Sequence, residues 1–270
     1  MLWLFAFLLA VVAIWQLETA RSGVAITSVQ VGQTPVSVYT PVGDTGPTIV
    51  ISHGFAGSRQ IMSAYALHLA QAGYRVVSFD YEGHGTHTVP MSGDVTSVEG
   101  TTRRLVNQTL SILSWAAQTD TSGQPVGQLG HSMATDVIIR AAGEAGQPAG
   151  PIVALSAFSG AVTATEPANL LMIAGEWEAR LREFGVDAVQ MFQSEASEGD
   201  LIETPSLRRQ ATIAPKVEHV GILYSQTAQS RALDWFNTFY QRNQTVPPLT
   251  IGPWLLVLLG CLVVLGRRVV

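Results

Sequence analysis

From residue 48 to residue 240, short runs of apolar and β-branched residues alternate with stretches of helical periodicity. Thr48 to Ser52, Tyr74 to Phe79, Pro125 to Leu129, Ile152 to Ala157, Leu170 to Ala174 and Ala211 to Lys216 are too short for buried helices and read as strands. Ser58 to Ala72 carries Ala64, Leu67 and Ala70 on adjoining turns, and Glu99 to Gln118 carries Val106, Leu110, Leu113 and Ala117 on one stripe. Asp136 to Ala142, Ala179 to Phe192 and Ala228 to Tyr240 are also helical, the last burying Ala232, Trp235, Phe236 and Phe239. Strands that are apolar throughout must be covered on both sides. Their alternation with helices therefore predicts a mostly parallel sheet with helices on both faces. An antiparallel hairpin precedes it, Val24 to Val31 and Pro35 to Tyr39 about Gly32-Gln33, and the acidic stretch Ser194 to Thr204 reads as a loop. The folded domain is predicted over 24–242.

The chain is 47% hydrophobic and only 13% charged, and the apolar excess lies at its two ends. Leu2 to Ile14 is apolar without interruption, and Trp15 and Leu17 extend it. Its length suits a spanning helix or a signal-peptide core. It lacks a basic leading region, and the small-residue pattern near Thr19-Ala20 is poor, so residues 1–20 are read as an uncleaved membrane anchor. A second apolar run, Ile251 to Leu265, predicts a C-terminal transmembrane helix over 249–266, with Trp254 near its start. Arg267-Arg268 would place that terminus in the cytoplasm and the domain on the periplasmic or extracellular side, with Arg21 a weak opposing signal. The net charge of -5 and the absence of a basic stretch argue against a nucleic-acid partner. The single cysteine, Cys261, leaves no disulfide framework and no thiol nucleophile in the central domain.

In open sheets of this kind, reactive residues gather beyond the carboxyl ends of the strands. The sequence places polar, glycine-rich turns there: His53-Gly54-Phe55-Ala56-Gly57, Asp80 to Gly85, Gly175-Glu176-Trp177-Glu178 and Val217-Glu218-His219. After the Pro125 to Leu129 strand comes Gly130-His131-Ser132-Met133-Ala134, then a helix. Strand, tight turn with serine at its tip and helix form the layout of a nucleophile elbow. The serine projects on a strained backbone, so the residues two away on each side must be small. Gly130 and Ala134 are. The same pentapeptide also suits a glycine turn whose serine caps the next helix.

With these features the domain resembles the α/β-hydrolase superfamily over essentially its whole length, as a membrane-anchored, bacterial-type, serine esterase or lipase-like member. The order serine, acid, histidine is that family's order. The resemblance implies an α/β-hydrolase fold flanked by N- and C-terminal transmembrane helices. It implies Ser132 as nucleophile, His219 as base and Glu178, three residues after Gly175, as the acid; Glu176 would brace its turn or face solvent. It further implies an oxyanion hole made by the backbone N–H groups of Phe55 and Met133. His53 and His84 would be scaffold, His131 would point away from the serine along the turn, and Asp80 would brace its own turn. Glu178 stands where aspartate is usual and Ala134 where glycine is usual; either carboxylate can orient a histidine, and alanine is small.

This reading predicts a serine hydrolase acting on a small acyl ester through an acyl-enzyme, with no cofactor and no metal. His84-Gly85-Thr86-His87 has no carboxylate or cysteine suitably spaced to complete a metal site. The alternatives are a serine peptidase or amidase, and a membrane-tethered α/β-hydrolase-like domain that binds without chemistry. Only Phe158 to Ala168 separates two successive strands, too few residues for a helical cap. No large lid domain is therefore expected, and Ala179 to Leu207 is the expected partial cover.

Overall fold

The computed structural model describes residues 2–43, 45–94, 97–146 and 149–266. The strands are β1 (Val24–Val31), β2 (Thr34–Pro41), β3 (Thr48–Ser52), β4 (Arg75–Phe79), β5 (Gly127–His131), β6 (Ile152–Leu155), β7 (Asn169–Gly175), β8 (Leu201–Thr204) and β9 (Leu207–Ala214). They form one sheet in the order β1-β2-β4-β3-β5-β6-β7-β9-β8. β4, β3, β5, β6, β7 and β9 run parallel, with β1 and β2 antiparallel at one edge and β8 at the other. The central strands are buried throughout, which explains the apolar sequences of β3 and β6, although β5 also buries Gln128 and His131.

Alternate residues of each strand serve opposite faces. Ile49, Ile51, Leu129, Val153 and Ile173 pack under α2 (Ser63–Gln71) and α6 (Gln226–Tyr240), together with Tyr65, Leu69, Leu233 and Phe236. On the other face Val50 and Val77 meet α3 (Arg103–Gln118) and α4 (Met133–Glu144), and Ile152, Leu170 and Met172 meet α4 and α5 (Ala179–Gln190). Each such large side chain contributes about 1.5–3 kcal/mol on burial. The doubly covered sheet follows from the periodicities.

Most element ends shift by a few residues from the sequence expectation, β5 for one running to His131 rather than Leu129, and the largest departure lies at the far edge of the sheet. The stretch expected as a loop to Thr204 ends in β8, and the last strand begins at Leu207 rather than Ala211. Arg208 and Arg209 disguise it. Arg209 is nonetheless fully buried; its Nη1 donates to the carbonyls of Thr163 and Ala188 and its Nη2 to that of Pro167. Its Nε has no partner, but the three carbonyl bonds offset part of the several kcal/mol that burying a cation costs, and they clamp the β6–β7 connection and α5 onto the sheet.

At the N-terminus α1 (Leu2–Thr19) is apolar all round and is long and apolar enough to cross a membrane. Ala6, Ala10 and Ala13 are buried while Leu4, Phe5, Phe7, Leu8 and Trp15 are exposed. It packs along α7 (Ile251–Gly266), whose Gly252 and Cys261 are buried. That helix starts two residues inside the expected 249. Residues 243–250, which include Pro247 and Pro248, are non-helical. Its 16 residues rise about 24 Å, short of the roughly 30 Å hydrocarbon core. The arginine pair at 267–268 lies outside the described residues.

Candidate active site

The turns after β3, β4, β5, β6, β7 and β9 lie at the carboxyl edge of the sheet, since these strands share one direction. Ser132 occupies the turn between β5 and α4 at φ 54°, ψ -121°, the strained backbone expected of an elbow, and its side chain makes no capping bond to the helix. A side-chain carbon on Gly130 would stand 2.8 Å from Ile138 Cδ1 and 3.2 Å from the Ala134 carbonyl oxygen. Position 130 therefore favours glycine, since any side chain would have to displace Ile138 and crowd the Ala134 carbonyl, whereas Ala134 is buried.

The elements bring the expected residues together. Ser132 Oγ lies 2.7 Å from His219 Nε2, and His219 Nδ1 lies 2.5 Å from Glu178 Oε1. A carboxylate only accepts, so Nδ1 carries the imidazole proton and Nε2 is left to accept from the serine. Glu178 Oε2 accepts from Gly175 N–H at 2.6 Å and from Ser156 Oγ at 2.7 Å. The glutamate side chain is 6% exposed and the histidine 44%. The acid is thus held on three sides while the base faces the opening. Gly175 permits this closeness, because a Cβ there would stand 2.6 Å from the Val217 carbonyl oxygen. Ser156 was not anticipated. The signal for it is a polar residue directly following the buried strand β6, at the edge where reactive groups collect.

The other acids stand apart. Glu176 Oε2 accepts from Lys216 N–H at 2.7 Å, and Glu218 accepts from the N–H groups of Val220 and Gly221, each at 2.7 Å. Asp80 braces its turn by accepting from Arg59 N–H and Thr86 N–H and by pairing with the Arg59 guanidinium.

Met133 opens α4, so its N–H has no partner within the helix. Among the described residues no acceptor takes the Phe55 N–H. Gly54 presses this loop onto the elbow: a Cβ there would stand 3.1 Å from Ser132 Cβ and 2.9 Å from His131 Nδ1.

His131 has a role beyond the one expected of it. It points away from Ser132 but is not idle: its Nε2–H donates to the His219 carbonyl at 2.8 Å, and the two rings lie 4.9 Å apart. It therefore holds the base loop against the elbow. Burial lowers its pKa to about 4, as it does for His53 and His68. His53 donates from Nδ1 to the Gly54 carbonyl and accepts the Tyr81 N–H at Nε2. In the unfolded chain these imidazoles titrate near 6.5. Below that pH the unfolded state takes up protons that the native state refuses, so stability falls as pH drops from about 6.5 toward about 4. Each group contributes up to about 1.4 kcal/mol per pH unit across this window. The melting temperature is expected to fall between pH 6.5 and 4.5, largely above the range in which carboxylates titrate. A constant melting temperature over that interval would contradict the assignment of these three rings as neutral.

Beside Ser132 lies a cavity of about 630 Å³ lined by Phe55, Val98, Met133, Val137, Phe158 and Leu181, among others. The connection 156–168 contains no helix, as its length requires. The described cavity wall, however, takes Met91, Val98, Thr101 and Thr102 from the segment before α3, and Leu181 from the expected 179–207 stretch. The β4–α3 segment is rich in Gly and Thr and carries no strong periodicity, so its role is not legible in the sequence.

A family profile described as serine aminopeptidase, S33, matches residues 43–220. Curated protein sequences gave no match. Among solved structures, a dienelactone hydrolase from Anabaena variabilis ATCC 29413 is 20% identical, with TM-score 0.58, over 80% of this chain and 98% of that one. A predicted CIB-like hydrolase from Thermoplasma acidophilum is 16% identical, with TM-score 0.58, over 80% and 100%. A hormone-sensitive lipase from a metagenome library is 14% identical, with TM-score 0.57, over 88% and 98%. At these identities the structures speak for the fold alone.

Proposed function

As the chain belongs to the serine aminopeptidase S33 family within the α/β-hydrolase superfamily, we propose that it is a serine hydrolase that cleaves carboxylic esters through Ser132, His219 and Glu178. The observation that carries this reading is the unbroken line from Ser132 Oγ through His219 to Glu178, at 2.7 and 2.5 Å, beside a cavity able to hold an acyl group. Ser132 Oγ attacks the acyl carbonyl as His219 Nε2 takes its proton. Glu178 fixes the ring and stabilises the imidazolium. The Phe55 and Met133 N–H groups receive the oxyanion, an arrangement that stabilises the tetrahedral intermediate by several kcal/mol in sites of this kind. His219 returns the proton to the leaving alcohol, and water, activated by the same imidazole, releases the acid. A fluorophosphonate probe should label the protein once, on the peptide containing Ser132. Absence of labelling would favour a binding domain that has lost its chemistry.

The family description favours a second reading, amide cleavage, which the same residues can perform with the proton delivered to a leaving amine. Turnover of aminoacyl amides exceeding that of matched esters would establish it.

We also propose that α1 anchors the domain in a membrane, with α7 beside it and the domain on the non-cytoplasmic face. The all-round apolar surface of α1 supports the anchor. The protein should sediment with membranes and resist extraction by carbonate, and protease added to intact spheroplasts should digest the domain. Protection there would reverse the orientation.

A further inference from the structure

The proposed chemistry leaves one end of the cavity unexplained. Asp136 and Arg140 line its wall on α4, one and two turns beyond Ser132. Asp136 is fully engaged: Oδ1 accepts from Ser159 Oγ at 2.7 Å and Oδ2 from Arg140 Nε at 2.8 Å. Arg140 is only partly engaged. Its Nε is committed, but among the described residues no acceptor takes Nη1 or Nη2. Its side chain is 21% exposed, and Nη1 and Nη2 are reached by solvent rather than buried without a partner. Gly160 lies against it; a side-chain carbon there would stand 3.6 Å from Nη2, so the missing side chain leaves the outer edge of the fork uncovered. Apolar side chains line the same cavity, among them Met133, Val137, Phe158 and Leu181.

Side chains on a helix lean toward its N-terminus, which is how Arg140 reaches Asp136. The guanidinium therefore stands between one and two turns above the elbow, about 6 to 12 Å along the axis. A free pair of N–H groups on a residue in the wall of a largely apolar cavity matches a carboxylate, which arginine binds in two-pronged fashion. Asp136 does not compete for that edge. It holds Arg140 by Nε and offsets its charge while the site is empty.

We propose that the substrate carries a carboxylate roughly four to eight carbons from the scissile carbonyl, held by the outer edge of Arg140. This assignment rests on the reading of Ser132 as the nucleophile of an esterase. The carboxylate can belong to the acyl side or to the alcohol side of the ester.

The test compares acid-tipped with methyl-tipped esters of equal length on the full chain. On the acyl side these are the p-nitrophenyl monoesters of adipic and suberic acids against p-nitrophenyl hexanoate and octanoate. On the alcohol side they are the acetates of 6-hydroxyhexanoate and of hexanol. The quantity read is the ratio of kcat/KM, acid-tipped over methyl-tipped. The ratio should exceed one in at least one series, and that series identifies the side. Arg140→Gln should lower the ratio about tenfold or more, mostly through KM, as loss of a charge-assisted hydrogen bond implies. Asp136→Asn should raise it several-fold, because the guanidinium then stands uncompensated. Opposite shifts from the two variants cannot arise from simple loss of structure, and the asparagine variant keeps the test decisive should Arg140→Gln fold poorly. An unchanged ratio in both variants, or a fall in both, overturns the proposal while leaving ester hydrolysis intact. If no ester is cleaved and Ser132 takes no probe, the esterase reading has failed, and this assignment falls with it.

Discussion

Ser132→Ala is expected to lower ester turnover on the order of 10⁴- to 10⁶-fold and to abolish fluorophosphonate labelling, while leaving the fold intact. The magnitude follows from the residue's place in the line. Without the hydroxyl, His219 has nothing to deprotonate, and only the oxyanion donors and substrate binding remain to accelerate attack by water. The indifference of the fold follows from what the side chain does not do. Ser132 makes no cap bond to α4, and its Oγ is bonded to His219 alone. The strain of φ 54° belongs to the backbone and is carried equally by alanine. A circular dichroism spectrum and melting temperature close to the parent's, beside vanished turnover, would separate loss of chemistry from loss of structure. Undiminished turnover would remove Ser132 from the mechanism.

Much of this arrangement was legible because the physics that forces it is local. A strand buried on both faces is mostly apolar, so β3, β6 and β7 stand out in the sequence, whereas β5, with Gln128 and His131 buried in it, is marked by the elbow that follows. A serine thrust out of a tight turn needs small neighbours, and Gly130 and Ala134 mark it. What escaped depends on contacts between distant parts of the chain. β9 carries two arginines, and only the carbonyls of Thr163, Ala188 and Pro167, remote in sequence, make it possible to bury one of them. His131 resembles an idle neighbour of the serine until the fold sets the His219 carbonyl 2.8 Å from its ring. Ser156 became part of the site only when β6 and β7 paired and brought Glu178 beside it. The segment before α3 has no strong periodicity and acquires a role only where the fold sets Met91, Val98, Thr101 and Thr102 in the cavity wall beside Ser132. Local pattern therefore discloses the strands and the elbow, whereas the supports of the acid and base are set by tertiary packing.

The proposed acid is where sequence and geometry meet most closely, because the turn after β7 holds two glutamates with only Trp177 between them. Glu178→Gln is expected to lower kcat by roughly 10²- to 10⁴-fold, with KM little changed. The amide is almost isosteric, so packing around the 6%-exposed side chain persists. What changes is the charge that stabilises the imidazolium and the certainty of the tautomer, since an amide can present N–H as well as C=O to His219 Nδ1. The two donors on Oε2, Gly175 N–H at 2.6 Å and Ser156 Oγ at 2.7 Å, would favour the amide oxygen on their side, turning its NH₂ toward the imidazole. That orientation forces the proton onto Nε2, the nitrogen that must accept from Ser132. Glu176→Gln should cost less than about tenfold, because Glu176 accepts only from Lys216 N–H and an amide oxygen can do the same. The two single variants, assayed side by side on one ester, decide the matter. A crippled Glu176→Gln beside a nearly silent Glu178→Gln would mean that the turn between β7 and α5 is set one register away from the arrangement described.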